Sequence, residues 1–459
     1  MNTGTFSRPY RSLYIYVIIS LLSAASAAHA DSLIPSNSLS VKDTVIMALE
    51  GNRGLQIAEK QRDGVRATAE AAFGRLLPRI DASYGVSRTD SPINVFGSKL
   101  LQKRFTASDF TLSNLNNPGT INNYHTDISI TVPVYQGGAL WAGKHAGDAS
   151  AKSAEWQYMA QRQTTILHVI ETFSRLRELQ AERKAMEQAL AAARDHLADT
   201  QALKRRGLAI TSDVMDARSH MLEAGVSLES ASHAVASTRE QLQRLLGLPP
   251  GTPLSTSGTV ELMLPDQDRD EWLEAAIRNQ PELQAAKHRL DAARAHTDVA
   301  RAPFRPAVNL QATEEWNSDT VAPKNANATI TAEVRFNLFS GGTDRARLHA
   351  ARATTTAREL ELEDIAQAIH NKVLTSWRSL QEAKNRLVAS KQVLRQNIES
   401  LRIRKLREQQ GLERSSDVLD AQSRADQARA KAIRARYALI IAKARLLASA
   451  GQLTPEVVR

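Results

Sequence analysis

The chain has 459 residues, 42% of them apolar but only 5% aromatic, and it carries no cysteine. Disulfides, thiolate metal sites, a cysteine nucleophile and a cysteine-linked lipid are thereby excluded, and the scarcity of aromatics suits extended helical packing better than a compact globular core. The formal charge is +10, but the basic residues are interspersed with Glu and Asp along helical stretches, the pattern of a solvated helix face rather than of a nucleic-acid-binding patch.

The first thirty residues read as a secretory signal: Arg8 and Arg11, an apolar run over 13–22, and a small-x-small site at Ala28-His29-Ala30. The run is too short to span a bilayer, so cleavage after Ala30 is expected. No later run is long enough for a transmembrane helix, which leaves strands as the only route through a membrane. A helix is predicted over 41–74 and ended by Pro78. Strands follow within 79–135. In the second of them Tyr124, Thr126, Ile128, Ile130, Val132 and Val134 alternate with His125, Asp127, Ser129 and Thr131, against Ile80, Ala82, Tyr84 and Val86 in the first. A proline-free helix then runs over 140–206, turns at Gly207, and returns to about 246. Its return arm carries an apolar seam from Val214 through Ala217, Met221, Ala224 and Leu228 to Leu245.

After a proline-rich stretch at 248–270 the same order recurs over 271–459: a helix over 272–301 ended by Pro303 and Pro306, strands within 306–339, and a helical hairpin over 343–450. Gly137, Gly207 and Gly247 recur 204 residues later as Gly341, Gly411 and Gly451. Ser212-Asp213-Val214-Met215-Asp216-Ala217 likewise returns as Ser416-Asp417-Val418-Leu419-Asp420-Ala421. Such a constant offset suits long helices, in which one inserted residue rotates everything downstream by about 100°. Leu55 and Pro78 instead match Leu283 and Pro306 at an offset of 228, so the first copy has 24 extra residues in its strand hairpin, within a loop at about 88–122. A seven-residue ladder, Val373, Leu380, Leu387, Leu394 and Leu401, is matched by Val169, Leu176, Arg183, Leu190 and Leu197, with Arg183 its one break.

Four two-faced strands cannot close a barrel, whose smallest form has about eight; two copies would supply eight strands and three would supply twelve. A barrel of eight is filled by its own side chains, so a pore favours three.

The duplicated α-ββ-α-α order, the glycine-turned hairpins, Val132-Pro133-Val134-Tyr135-Gln136-Gly137-Gly138 with its counterpart Phe336-Asn337-Leu338-Phe339-Ser340-Gly341-Gly342, and the two Gly-Leu tips resemble the TolC family of outer-membrane export channels. The resemblance implies a mostly α fold with a transmembrane β-barrel part: a homotrimer whose twelve-stranded barrel continues as a twelve-helix tunnel. It also implies a periplasmic adaptor and an inner-membrane pump or ABC transporter as partners, outer-membrane lipid around the barrel, and no cofactor. Without a cysteine the chain is similar to the non-lipidated branch. The 248–270 segment matches the family's mid-tunnel belt, and a plain linker reads equally well.

Asp213 and Asp216 share a helix face at the start of one return arm, and Asp417 and Asp420 at the start of the other. The family's Asp-x-x-Asp ring matches Asp417 and Asp420, which implies a cation-attracting constriction; capping of the helix start is the competing reading. Arg205, Arg206, Glu413 and Arg414 are candidates for bonds that close the tips, and Gly207, Leu208, Gly411 and Leu412 match the adaptor-docking positions. The eleven histidines are scattered and no metalloprotease, phosphate-loop or nucleophile-elbow motif occurs, so no enzyme is expected. The alternative function is a periplasmic coiled-coil adaptor or structural protein, which would not ordinarily carry two strand pairs.

Overall fold

In a computed structural model of the protein, residues 38–207, 209–410 and 412–458 are described. The expected signal sequence lies outside the described residues, as do Leu208 and Gly411. No described helix is long and apolar enough to cross a membrane.

Each repeat opens with two helices where periodicity predicts one. α1 (Val41–Gly51) begins at a reciprocal cap, in which Asp43 N–H donates to Ser40 Oγ and Ser40 N–H to the Asp43 carboxylate. It stops at Asn52, whose extended backbone starts α2 (Arg53–Gly74); the Asn52 amide caps Leu55 N–H and donates to Leu245 O at 2.8 Å. In the second repeat α7 (Arg269–Asn279) gives way to α8 (Pro281–Arg301) at Gln280, held extended by the proline that follows it. The breaks at Asn52 and Gln280 are thus repeat partners, and local capping overrides the apolar period at both.

These elbows lie where the hairpins return. At Gly247 a Cβ would sit 2.0 Å from Gly51 O, and at Gly451 it would sit 2.5 Å from Asn279 C. Both glycines also have φ near +70°. Two backbones touch at each elbow, and only glycine fits. This middle zone holds the main core, where Val45, Phe173, Leu176, Trp272, Val373, Leu446 and Leu447 are almost wholly buried. The inter-repeat segment packs there too. Leu254, Val260 and Leu262 are buried in that core, and Arg177 donates to Thr256 O at 3.0 Å.

β1 (Arg79–Thr89), β2 (Ile121–Gln136), β3 (Ala307–Ser318) and β4 (Ala326–Arg335) form one antiparallel sheet in chain order. Rows of apolar side chains cross it: Ile80 stands opposite Ile130, which faces Ala312, which faces Ile330. Val132, Leu310 and Ala332 form the next row. Among the described residues nothing covers the middle of this face; Ile80 is 68% and Ile330 78% exposed. Toward the loop end of the same face lie Tyr84, Tyr124 and Trp316, and Glu314 sits one row below Trp316, opposite Ile128. The register shifts between Pro133 and Tyr135, so Tyr135 rather than Val134 stands opposite Val308; Pro133 has no N–H to offer the ladder. The other face is polar and cross-linked, with Asn123 bonded to Asn317 at 2.7 Å, Gln136 to Asn309 at 2.6 Å, and Ser83 to Asp127. The 24-residue insertion is not irregular: it folds into α3 (Pro92–Leu101), a 3₁₀ turn at Ala107–Phe110 and α4 (Leu112–Asn116).

α5 (Ala139–Arg205) and α9 (Thr343–Gln409) have 67 residues each, and α6 (Thr211–Leu245) and α10 (Ser415–Ser449) have 35 each. At about 1.5 Å per residue the long arms reach roughly 100 Å. Nearer the sheet, α2 packs on α5, α5 on α8, and α8 on α9; beyond the elbows the order is α6, α5, α10, α9. The seven-residue ladder is fully buried only at Val169, Leu176, Val373 and Leu380. Arg183 lies at the surface, 3.4 Å from Glu187, and toward the tip the seam of α5 passes to Ala185, Ala189 and Ala193.

Candidate functional site at the hairpin tips

The long hairpins end in two short turns. At the first, Gly207 takes φ +74° and its N–H donates to Lys204 O at 2.9 Å, closing α5 in the left-handed conformation that favours glycine. At the second, Leu412 N–H reaches back to Arg407 O at 2.9 Å, and the Leu412 side chain is 65% exposed. Among the described residues nothing buries this leucine at the end of the hairpin.

The four aspartates divide by role. Asp213 accepts from Ile210 N–H at 3.0 Å and so caps α6. Asp417 is half-buried, and its N–H, not its carboxylate, bonds to Arg414 O. Asp216 and Asp420, one turn further in, are exposed, and among the described residues neither has an ion-pair or hydrogen-bond partner. Capping thus occupies Asp213 and leaves Asp216 and Asp420 as free carboxylates.

Of the groups named for tip closure, Glu413 is already engaged within its own hairpin. Its Oε1 lies 2.6 Å from Arg404 Nη1 and its Oε2 3.1 Å from Arg407 Nε. The carboxylate is largely buried by this pair of guanidinium groups. Arg205, Arg206 and Arg414 are exposed, and none has an ion pair among the described residues. The first tip has no equivalent clamp, since Thr200, Leu203 and Ala209 occupy the places of Arg404, Arg407 and Glu413.

Contacts between the hairpins were not legible in the sequence. Glu182 on α5 pairs with Arg434 on α10 at 2.6 Å, and Glu171 with Arg445 at 2.7 Å. Nearer the tip, His196 Nε2 lies 3.1 Å from Ser415 Oγ. A cavity of about 400 Å³ opens beside it, lined by Asp195, His196, Asp199, Arg206, Lys405 and Glu408 among others. Burial first, then the Lys405 charge, lowers the pKa of His196 and favours the neutral ring; Asp199 opposes this. Burial also raises the Glu408 carboxyl, with Asp199 and Asp213 adding like charge. These partners lie far apart in sequence and no local pattern announces them. No cluster among the described residues has the makings of a metal site.

The family model for outer membrane efflux proteins matches residues 45–248 and 272–452. The chain belongs to this family. Among curated relatives it is 26% identical over 279 residues to Protein CyaE of Bordetella pertussis, a match that covers 59% of this chain and only 58% of CyaE. It is 22% identical over 393 residues to the probable efflux pump outer membrane protein TtgC of Pseudomonas putida, covering 82% of this chain and 75% of TtgC. The outer membrane protein VceC of Vibrio cholerae has a similar structure, with a TM-score of 0.77 at 17% identity over 90% of this chain and 96% of VceC. The fold is therefore that of an outer-membrane channel, a β-barrel portion continued by a helical tunnel.

Proposed function

We propose that this outer membrane efflux protein is the exit duct of a tripartite efflux or type I secretion system, working as a homotrimer. The observation that carries the reading is the pair of open sheet edges, β1 and β4, on a sheet with one uncovered apolar face. In lipid each unpaired backbone group costs several kcal/mol, so β4 of one copy pairs with β1 of the next. The internal repeat supplies the geometry of that joint. Within the chain α8 lies between α5 and α9. Its repeat partner α2 packs chiefly on α5, and in a ring it reaches α9 of a neighbouring copy. Likewise α6 has α5 on one side and an exposed stripe of Met215, Leu222 and Val226 on the other, left for the neighbour's α9.

In this assembly the apolar face meets lipid and the polar face lines the pore. Asp216 and Asp420, with Asp213 and Asp417 behind them, form the entrance ring at the tips. Gly207, Leu208, Gly411 and Leu412 meet the periplasmic adaptor, which in turn couples to an inner-membrane pump or ABC transporter. Arg205, Arg206 and Arg414 bridge adjacent copies in the closed state. Export uses a cleaved signal peptide.

Cysteine pairing tests the ring. Ser153 Oγ on α5 donates to Ala285 O on α8 at 3.0 Å, a contact inside one chain. Its repeat counterpart joins Ala357 on α9 to Ile57 on α2 of the next copy, and Ile57 is 58% exposed in the single chain. Ile57→Cys with Ala357→Cys, in a chain with no other cysteine, should cross-link on oxidation into a covalent trimer that conducts ions in planar bilayers. Bands that stop at the monomer, from protein recovered without detergent, would contradict the reading and return the periplasmic adaptor to favour.

A further inference from the structure

The periplasmic tips are not the only place where this molecule narrows. We propose that residues 91–118 form a cap that folds across the outer mouth of the barrel and sieves what passes, a second constriction latched by Gln102. The proposal rests on the channel reading above, since it takes the polar face of the sheet as the pore lining.

The cap is a folded unit. The rings of Phe96, Phe105 and Phe110 meet edge to face, with centroids 4.6 to 6.3 Å apart. Lys99 Nζ lies 2.6 Å from Asp109, which also accepts from Thr106 N–H and Oγ1 at 2.9 Å. A mobile surface loop would not carry an aromatic cluster, an ion pair and a helix cap within twenty residues of each other.

Its position is fixed by polar contacts to one side of the sheet. Gln102 is 1% exposed, and its amide donates to Asn122 O and Asn123 Oδ1 at 2.9 Å and to Ser318 O at 3.3 Å. Asn325, in the β3–β4 loop, donates to Gln102 O at 2.7 Å, and Arg104 pairs with Asp319 at 2.9 Å. Asn123 and Asn317 belong to the polar face. They are buried, whereas Ser83, Gln311 and Thr331 on the same face are open. The cap therefore covers the loop end of the face that lines the pore, while on the apolar face Ser318 is buried at the loop end and Ile80 and Ile330, further down, stay exposed. On its free side Ile93, Phe110 and Leu112 are exposed. Leaning inward from three copies, these side chains meet their counterparts over the axis and stay out of lipid. A buried amide with several bonds is costly to leave unpaired, so Gln102 acts as the latch that holds each cap down.

The test reads access to the pore from outside, so the state of the tips does not enter. Gln311→Cys places a single thiol on the polar face below the cap. Intact cells are exposed to a small maleimide and to a polymer-linked maleimide. The small reagent should label and the polymer should not. Gln102→Ala should raise polymer labelling about tenfold, the effect of unlatching one buried hydrogen-bonded group. Replacing residues 91–118 by a two-residue turn should abolish the exclusion, and this second variant does not depend on how the first one folds. Polymer labelling of the Gln311→Cys protein at the small reagent's rate, or exclusion that survives the excision, would overturn the cap. Failure of the small reagent to label any of the three would instead refute the pore itself.

Discussion

Replacing Glu413 by Gln should loosen the second tip and leave the first unchanged. The carboxylate receives charge-assisted bonds from Arg404 and Arg407 and is itself only 12% exposed. A hydrogen bond to a charged group contributes about 1.5–3 kcal/mol. Both guanidinium groups are partly solvated, at 37% and 56% exposure, so screening brings the loss to about 1–2 kcal/mol. That corresponds to a change of roughly 5- to 30-fold in the population of the opened turn. The amides to watch are Gln410 and Leu412, whose N–H groups both donate to Arg407 O. Hydrogen exchange followed by mass spectrometry on a peptide covering 404–416 should speed up by that factor. The peptide covering 200–212 serves as the internal control, because no such clamp exists there. Raising salt should narrow the difference between wild type and Glu413→Gln. Equal exchange in the two proteins, or an equal rise at both tips, would refute the assignment of Glu413 to an intra-hairpin clamp.

Other consequences are open to measurement. Gly247→Ala combines left-handed strain of about 1 kcal/mol with a backbone clash worth about 1–3 kcal/mol more. Gly207→Ala has a positive φ but open space around it, so thermal unfolding should show the larger loss at Gly247; the reverse order would argue against the elbow contact. Asp420→Asn should weaken cation block of conductance without changing stability, whereas Asp213→Ala should cost about 1 kcal/mol through loss of its cap; block that depends on Asp213 alone would reverse the two roles. The Lys99 ammonium, with Thr106, holds the Asp109 carboxyl at about 2 against an ordinary 3.8. A depressed carboxyl stabilises the cap above 3.8, and that contribution is lost as pH falls through about 2. Pepsin should accordingly cut within residues 92–118 slowly at pH about 4 and faster toward pH about 2, with Asp109→Asn cut readily at both; a cap cut equally at both pH values in the wild type would contradict this.

The parts of the molecule that were readable from sequence are those governed by short periods. The strands announced themselves by alternation, and the long helices by proline-free length between glycines. The elbows did not, because Asn52 and Gln280 sit inside apolar patterns that continue across them. What breaks the helix is capping and a following proline, together with a backbone contact to a residue nearly two hundred positions away. The insertion between β1 and β2 likewise gave little period, since its two helices and 3₁₀ turn are short and bury only Val95. At the tips the aspartates were visible as a repeated pair, but their division into cap and free carboxylate depends on which amide each reaches. Glu413 was visible as a candidate for closing the tips, and only the geometry of Arg404 and Arg407 shows where its charge goes.

In the proposed trimer the glycine elbows would also set the mechanics of opening. Toward the sheet the long helices are braced by α2 and α8; below the elbows, past the packing of α1 on α5 and of α7 on α9, their main partners are α6 and α10. Each hairpin is then a lever pivoting where two backbones touch, with an arm as long as the 35 residues of α6, about 50 Å. A tilt of about 5° at the pivot carries the tip some 4 Å, roughly the width of one side chain. A mouth ringed by several such levers can widen greatly while the core around Phe173 and Trp272 barely moves.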